Sequence, residues 1–390
     1  MSEKLMRNMA VNSLCFFVLL CLLSTIFVTP EGSSLAGATA DLPDTAPQDL
    51  FPVQTVAGSD ESSVSEEPSD TASFDVSKLG EFYIQLDISH IQHETITLKE
   101  DSTKKKLTLM IDGLSRQEIA PKDIERIHRN DYRYGKVRKK DKKDLLESLH
   151  ITYDYNPSDF SYAAKIQLVT KNVYVPTLMV GSTYCYIVLQ KPKEVYDKIV
   201  VIDAGHGGND TGTYSQDLSC IEPTYTLAIA MELKKLLDKS DIKAYYTRTA
   251  DIDVSKKFRV DLTNQLNADF LISIHCNGAI GIDLNANGME ALYAGDALNS
   301  ANKNRLLAEA CLKEMTDATG RKNRGIIHRD DLYLLNHSKV PTTILEVGFM
   351  SNTQDMNYLN KRANLKQIAI GIYNGIQKAY TQDIQGKKNA

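Results

Sequence analysis

The chain has 390 residues, a formal net charge of −5 and 42% hydrophobic residues. That is more than one average domain, with enough apolar content for packed cores, so a wholly disordered chain is excluded. The slightly acidic balance argues against non-specific nucleic-acid binding as the main task, and six Cys are too sparse for a disulfide scaffold.

Lys4 and Arg7 precede an apolar run from Val11 to Val28. A positive start before such a run is an export signal, so the rest of the chain is expected to work outside the membrane, in the cell envelope. The run is longer than the apolar stretch of most cleaved signal peptides, yet a spanning helix needs about 20 residues. Small residues from Ala36 to Ala40 supply a cleavage site, although it lies unusually far from the run. Secreted and membrane-anchored forms both stay open; the length favours an uncleaved anchor with its Lys/Arg end in the cytoplasm. Residues 1–40 are thus leader and flank. The segment 41–78 follows as an acidic linker, with nine Asp and Glu but no Lys or Arg between Asp41 and Ser77. It cannot bury enough apolar surface to offset its ordering entropy.

Residues 79–196 read as a smaller, β-rich domain. Period-two alternation runs through Phe82 to Ile88, Thr95 to Leu98, Leu107 to Ile111, Ile151 to Tyr155, Ala164 to Val169 and Tyr184 to Leu189. The stretch 122–143 differs, with ten basic residues against four acidic ones. A solvated face is the ordinary explanation; the sharper one is a patch that grips an anionic wall polymer. No catalytic constellation appears in this domain.

From Lys198 strands alternate with helices, which predicts an α/β fold over residues 197–381, ahead of a short tail at 382–390. The expected architecture is a central, mostly parallel sheet flanked by helices. Strands are predicted at Ile199 to Ile202, Lys243 to Arg248, Phe270 to Ile274, Gly288 to Tyr293 and Thr342 to Phe349. Helices are predicted at Thr224 to Lys239, Ser255 to Asn267, Asn299 to Thr319 and Leu365 to Tyr380. Ligand sites in such sheets lie at the carboxyl ends of strands.

Four pieces of sequence cluster there. Strand one runs into Asp203-Ala-Gly-His206-Gly-Gly208, an imidazole on a Gly-flanked turn, with Asp203 near enough in sequence to orient it. Cys220-Ile-Glu222-Pro223 opens the first long helix, where a carboxylate is stabilised either as a simple cap or as a preorganised metal ligand. Ser273-Ile-His275-Cys-Asn277 ends a strand, and alternation turns Cys276 away from His275. Two His and one Glu leave a zinc position open, as catalytic sites require, without excluding other divalent metals. Glu346 interrupts the apolar strand Thr342 to Phe349, and a buried carboxylate needs either a salt-bridge partner or a job such as proton transfer. Cys220 and Cys276 lie near these pieces, so a disulfide or an oxidation-sensitive pair stays open. His328, Arg329 and His337 lead into the last strand as surface residues or as ligands for anionic peptide groups.

In this order and spacing the pieces closely resemble the zinc-dependent N-acetylmuramoyl-L-alanine amidases of the Amidase_3 type. The marks are VVIDAGHGG at Val200–Gly208, Glu222 ahead of its helix, LISIHCN at Leu271–Asn277 and ILEVGFMSN at Ile344–Asn352. The resemblance covers about Lys198 to Tyr380. It implies Zn2+ bound by His206, Glu222 and His275, with Glu346 as the catalytic glutamate. The implied reaction is hydrolysis of the amide between N-acetylmuramic acid and L-alanine in peptidoglycan. The sequence departs from the family pattern at Asp210-Thr-Gly212, Glu222-Pro-Thr-Tyr-Thr226 and Leu334-Leu-Asn336-His337, which touches substrate fit rather than metal binding. The first domain is similar in position and strand content to AMIN-type wall-targeting modules. Alternatives to hydrolysis of this bond are an inactive amidase-like envelope-binding protein and a zinc peptidase acting within the stem peptide.

Overall fold

The computed structural model describes residues 83–87, 95–114, 133–134, 146–180, 184–279, 285–296, 298–299 and 302–384. The leader, the acidic linker and all of the basic stretch except Arg133 and Tyr134 lie outside the described residues, as do the expectations that rest on them. Among the described residues no helix is long and apolar enough to cross a membrane.

The first half is built from strands β1 (Tyr83–Asp87), β2 (Thr95–Asp101), β3 (Lys106–Leu114), β4 (Arg133–Tyr134), β5 (Leu146–Asn156), β6 (Ser161–Thr170), β7 (Val175–Val180) and β8 (Tyr184–Gln190). They form two antiparallel sheets, ordered β4-β1-β8-β7 and β2-β3-β6-β5. Leu107, Leu109, Ile111, Ile166 and Leu168 of one sheet share a core with Leu178, Cys185, Ile187 and Leu189 of the other. Alternate residues of β3 are buried, which is the pleat expected of a sheet with one packed face.

The second half comprises α1 (Pro192–Val195), β9 (Ile199–Ala204), α2 (Glu222–Leu237), β10 (Lys243–Tyr246), α3 (Lys256–Leu266), β11 (Phe270–Asn277), β12 (Met289–Tyr293), α4 (Lys303–Thr319), β13 (Asn323–His328), α5 (Tyr333–His337), β14 (Thr342–Phe349), α6 (Thr353–Leu359) and α7 (Arg362–Thr381). Its six-stranded sheet runs β10-β9-β11-β14-β12-β13. The β14–β12 pair is antiparallel and the other four pairs are parallel, so the expected mostly parallel sheet is what forms. Val200, Ile202, Ile272 and Ile274 face α2, α4 and α7 through Ile229, Leu233, Cys311, Met315, Ile368 and Ile372. Ile199, Val201 and Leu271 face the opposite layer, with Val260, Leu262 and Leu266 of α3 and Leu334 of α5. Burial on both faces explains why these strands read as unbroken apolar runs.

Helix starts follow local chemistry. Ser255 caps α3 by accepting from Phe258 N, and Asn302 caps α4 by accepting from Asn304 N and Arg305 N. Gly320 closes α4 in the left-handed conformation at φ +64°. The sequence pattern does not disclose β7, β13, α5 or α6. β13 is short, lies at a sheet edge, carries Gly325 and shows no clean alternation of burial. α5 and α6 have five and seven residues, too few for a helical period to show.

One polar group fixes the layer beneath the strand ends. Asp203 is fully buried and accepts from Thr247 Oγ1 and Ser273 Oγ, both at 2.6 Å, and from Arg259 Nη1. It thereby joins β9, the end of β10, β11 and α3. Removing one partner of a buried ion pair strands the other charge without water. Asp203→Ala is therefore expected to lower stability by about 3–5 kcal/mol, read as a reduced urea midpoint with an unchanged slope.

Candidate active site

His206 stands on the turn after β9 with φ +58°, followed by Gly207 at +124° and Gly208 at +60°. A left-handed non-glycine residue costs about 1–3 kcal/mol and persists only where its surroundings over-determine it. Two buried arginines do so here. Arg259 Nη2 donates to His206 O at 2.9 Å and Nη1 to Ala204 O at 2.8 Å. Arg248 Nε donates to Ala204 O at 3.0 Å, and its Nη2 donates to Gly205 O at 2.9 Å and Pro223 O at 3.1 Å. Arg248 thus ties the turn that carries His206 to the helix start that carries Glu222. Sequence reasoning missed the role of both arginines; a basic residue at a strand end or in an ordinary helix gives no local sign of burial.

Glu222 is the first residue of α2, where the unpaired N–H groups favour an anion. It is buried. Its Oε2 accepts from Thr213 N at 2.8 Å and lies 3.2 Å from His206 Nε2. Its Oε1 accepts from Cys276 N at 2.9 Å and lies 2.8 Å from His275 Nδ1. Burial pushes its carboxyl up, but the two imidazoles outweigh burial and hold it below the usual carboxylate range. Burial likewise opposes a charged His275, and Glu222 outweighs it to raise the imidazole's pKa.

The three predicted ligands therefore meet. One donor atom from each of His206, Glu222 and His275 lies within 4.8 Å of the others. Donors about 2.0–2.1 Å from a tetrahedral ion stand roughly 3.3 Å apart; Glu222 comes within that range of His206 through Oε2 and of His275 through Oε1, so the two short spacings fall on different oxygens. Two imidazoles and a carboxylate match the ligand sets of catalytic zinc sites. The backbone leaves room for them only because of glycine. A Cβ on Gly205 would lie 2.5 Å from the His275 ring, and one on Gly212 would lie 2.5 Å from Glu222 Oε2 and 2.6 Å from His206 Cδ2.

Glu346 is paired in register with His275 across the β11–β14 contact. Neighbouring strands are about 4.8 Å apart, so its carboxylate flanks the cluster. The salt-bridge explanation fails: no cation pairs with it among the described residues, and Oε2 is buried without a hydrogen-bond partner. Burial is the main cause that pushes this carboxyl up to about 7, into the range useful for proton transfer.

One expectation is corrected. Asp203 does not orient His206; it is committed to Thr247, Ser273 and Arg259. Asp210 lies beside the imidazole instead, because the turn folds back on itself through Gly207 and brings Asp210 Oδ2 to 2.9 Å from His206 Nδ1, an ion-pair contact without hydrogen-bond geometry. Cys220 and Cys276 are both free thiols, and Cys276 packs into the core on the α2 side of the sheet. His328 contacts Gly295 O and Asp330, Arg329 pairs with Asp331, and His337 stacks on Tyr333. All three are exposed, in line with the surface reading.

Residues 200–378 match the Amidase_3 family, described as N-acetylmuramoyl-L-alanine amidase. The chain is 28% identical over 181 residues to the N-acetylmuramoyl-L-alanine amidase CwlM of Bacillus licheniformis, covering 46% of this chain and 68% of that protein. It is 27% identical over 199 residues to the germination-specific N-acetylmuramoyl-L-alanine amidase of Bacillus subtilis (strain 168), covering 47% and 81%. Among solved structures, that of the N-acetylmuramoyl-L-alanine amidase from Clostridium difficile 630 aligns at 31% identity with a TM-score of 0.44, over 47% of this chain and 97% of that one. Every one of these matches spans about half of the present chain, and the family match falls wholly in its second half. Residues 200–378 of this chain are an Amidase_3 domain.

Proposed function

We propose that this chain hydrolyses the amide bond between N-acetylmuramic acid and L-alanine in peptidoglycan, with a zinc ion held by His206, Glu222 and His275. The observation that carries the reading is the convergence of these three donors beside half-buried Glu346, which stands in register with His275 and whose Oε2 is buried without a hydrogen-bond partner. The amidase names of the relatives support the choice of bond. Peptidoglycan lies outside the membrane, so the action is extracytoplasmic, in line with the export signal expected of the leader. The wall-targeting role of residues 79–196 and the anionic-polymer role of 122–143 belong to the same reading and rest on sequence alone.

An unactivated amide resists water, and the site answers with three devices. A bound zinc supplies Lewis acidity. Glu346 takes a proton from the attacking water and passes it to the departing L-alanine nitrogen, so that the C–N bond breaks to a carboxylic acid and a free amine. Asp210, Arg248 and Arg259 hold the His206 turn, and Thr213 N and Cys276 N hold Glu222, so that the donors are placed before substrate arrives. No Ser or Cys nucleophile takes part.

Purified wall incubated with the protein is expected to release stem peptides whose new amino terminus is L-alanine, and a chelator is expected to stop the release. A terminus further along the stem would identify a peptidase, and binding without release an inactive tether. Glu346→Gln is expected to lower kcat by about 10²–10⁴-fold while zinc per chain, by mass spectrometry, stays the same. Below its pKa the Glu346 carboxyl is neutral and cannot accept a proton, so kcat/KM should rise with pH through that value. Because a bound cation draws the pKa down, the midpoint of this limb should fall at or below about 7. Gly212→Ala is expected to weaken zinc binding roughly 10- to 100-fold in a chelator competition, because the new methyl displaces Glu222.

A further inference from the structure

Glu290 takes no part in the steps above, yet it sits directly opposite Glu346 in the antiparallel β12–β14 pair. His275 lies opposite Glu346 on the other side, across the parallel β11–β14 pair. Side chains paired across neighbouring strands project to the same face. His275, Glu346 and Glu290 therefore form one row over three strands. Like charges directly opposite each other destabilise a sheet, and Glu290 is only 8% exposed.

Both oxygens of Glu290 are nevertheless committed. Arg324 Nε donates to Oε1 at 2.6 Å and Asn277 Nδ2 donates to Oε2 at 3.0 Å. Arg324 is itself set against the Phe349 ring, 4.9 Å from its centroid, and Asn277 Oδ1 accepts from Gly278 N at 2.8 Å. The anion is pinned from β13 and from the end of β11, and it offers Glu346 no hydrogen-bond donor. Anchoring an edge strand through Arg324 would need a carboxylate on β12; it would not need one aligned with Glu346 and held by Asn277 as well.

We propose that Glu290 is a positioning residue whose pinned negative charge closes the β12 side to the Glu346 carboxylate and keeps it turned toward His275 and the ligand cluster. The inference rests on the hydrolytic reading, in which Glu346 carries the proton. A neutral amide at position 290 removes the repulsion and supplies a donor that draws Glu346 across the sheet.

The test compares the full-length zinc-loaded protein with its Glu290→Gln, Glu290→Ser and Glu290→Asp variants on purified peptidoglycan, together with zinc content and a crystal structure of Glu290→Gln. The expected result for Glu290→Gln is a kcat lower by roughly 10- to 100-fold, an unchanged KM and unchanged zinc per chain. In its crystal, Glu346 should accept a hydrogen bond from the introduced side-chain amide. Glu290→Asp keeps the charge and should recover much of the lost kcat. Glu290→Ser removes the charge and serves if the Gln variant does not fold; it too should lose kcat alone. Parental kcat in either neutral variant overturns the inference. So does a slowed Glu290→Gln whose Glu346 has not moved, since that pattern belongs to a structural pair. A parent protein that releases no stem peptide refutes the hydrolytic reading itself, before any variant is compared.

Discussion

The site depends on a turn that its own backbone disfavours. His206 adopts a left-handed conformation, and the carbonyls around it are turned into the protein, away from water. Buried carbonyls need donors. Arg248 and Arg259 supply them at Ala204, Gly205 and His206, and Asp203 balances the charge of Arg259 from below. Backbone carbonyls and the Thr226 hydroxyl receive the donors of Arg248. A guanidinium is suited to this because its five donors diverge in a fixed plane and reach several acceptors at once. The same group touches the loop before His206 and the helix that begins with Glu222, so the separation of those two side chains is set by one rigid clamp.

The parts of this arrangement that are legible in the sequence are the local ones. Apolar runs mark β9, β11 and β14, and a His or Glu that interrupts or ends such a run stands out against them. Glu222 is visible through its place beside Pro223 at a helix start. The relations that escape are those made across the sheet. Asp203 looks like a partner for His206 because the two lie close together in the chain. Strand geometry sends it instead toward Thr247, Ser273 and Arg259, which are far away in sequence. Asp210 comes close to His206 only once the Gly207 turn has folded back. The alignment of Glu290 with Glu346 arises from an antiparallel register that no local pattern encodes.

The first half follows the same division. Alternation reveals most of its strands, since each sheet buries one face. It cannot reveal their partners: β1 pairs with β8, and β3 with β6, across long stretches of chain. Alternation fixes which face a residue occupies and leaves the choice of neighbour to loop lengths and core packing.

The long sequence gap between His206 and His275 carries a consequence for assembly. An unfolded chain holds these side chains at the ends of a wide loop, whose closure is entropically unfavourable. Only when β9 and β11 have zipped together do the imidazoles become neighbours. On the zinc reading proposed above, ion capture would be a late event that reports a completed sheet, and the cation would be drawn from whichever solution surrounds the chain as it finishes folding. Were the chain threaded through a translocon before folding, as the proposed extracytoplasmic action requires, that solution would be the exterior one, and the supply of ions there, rather than the cytosolic pool, would govern loading.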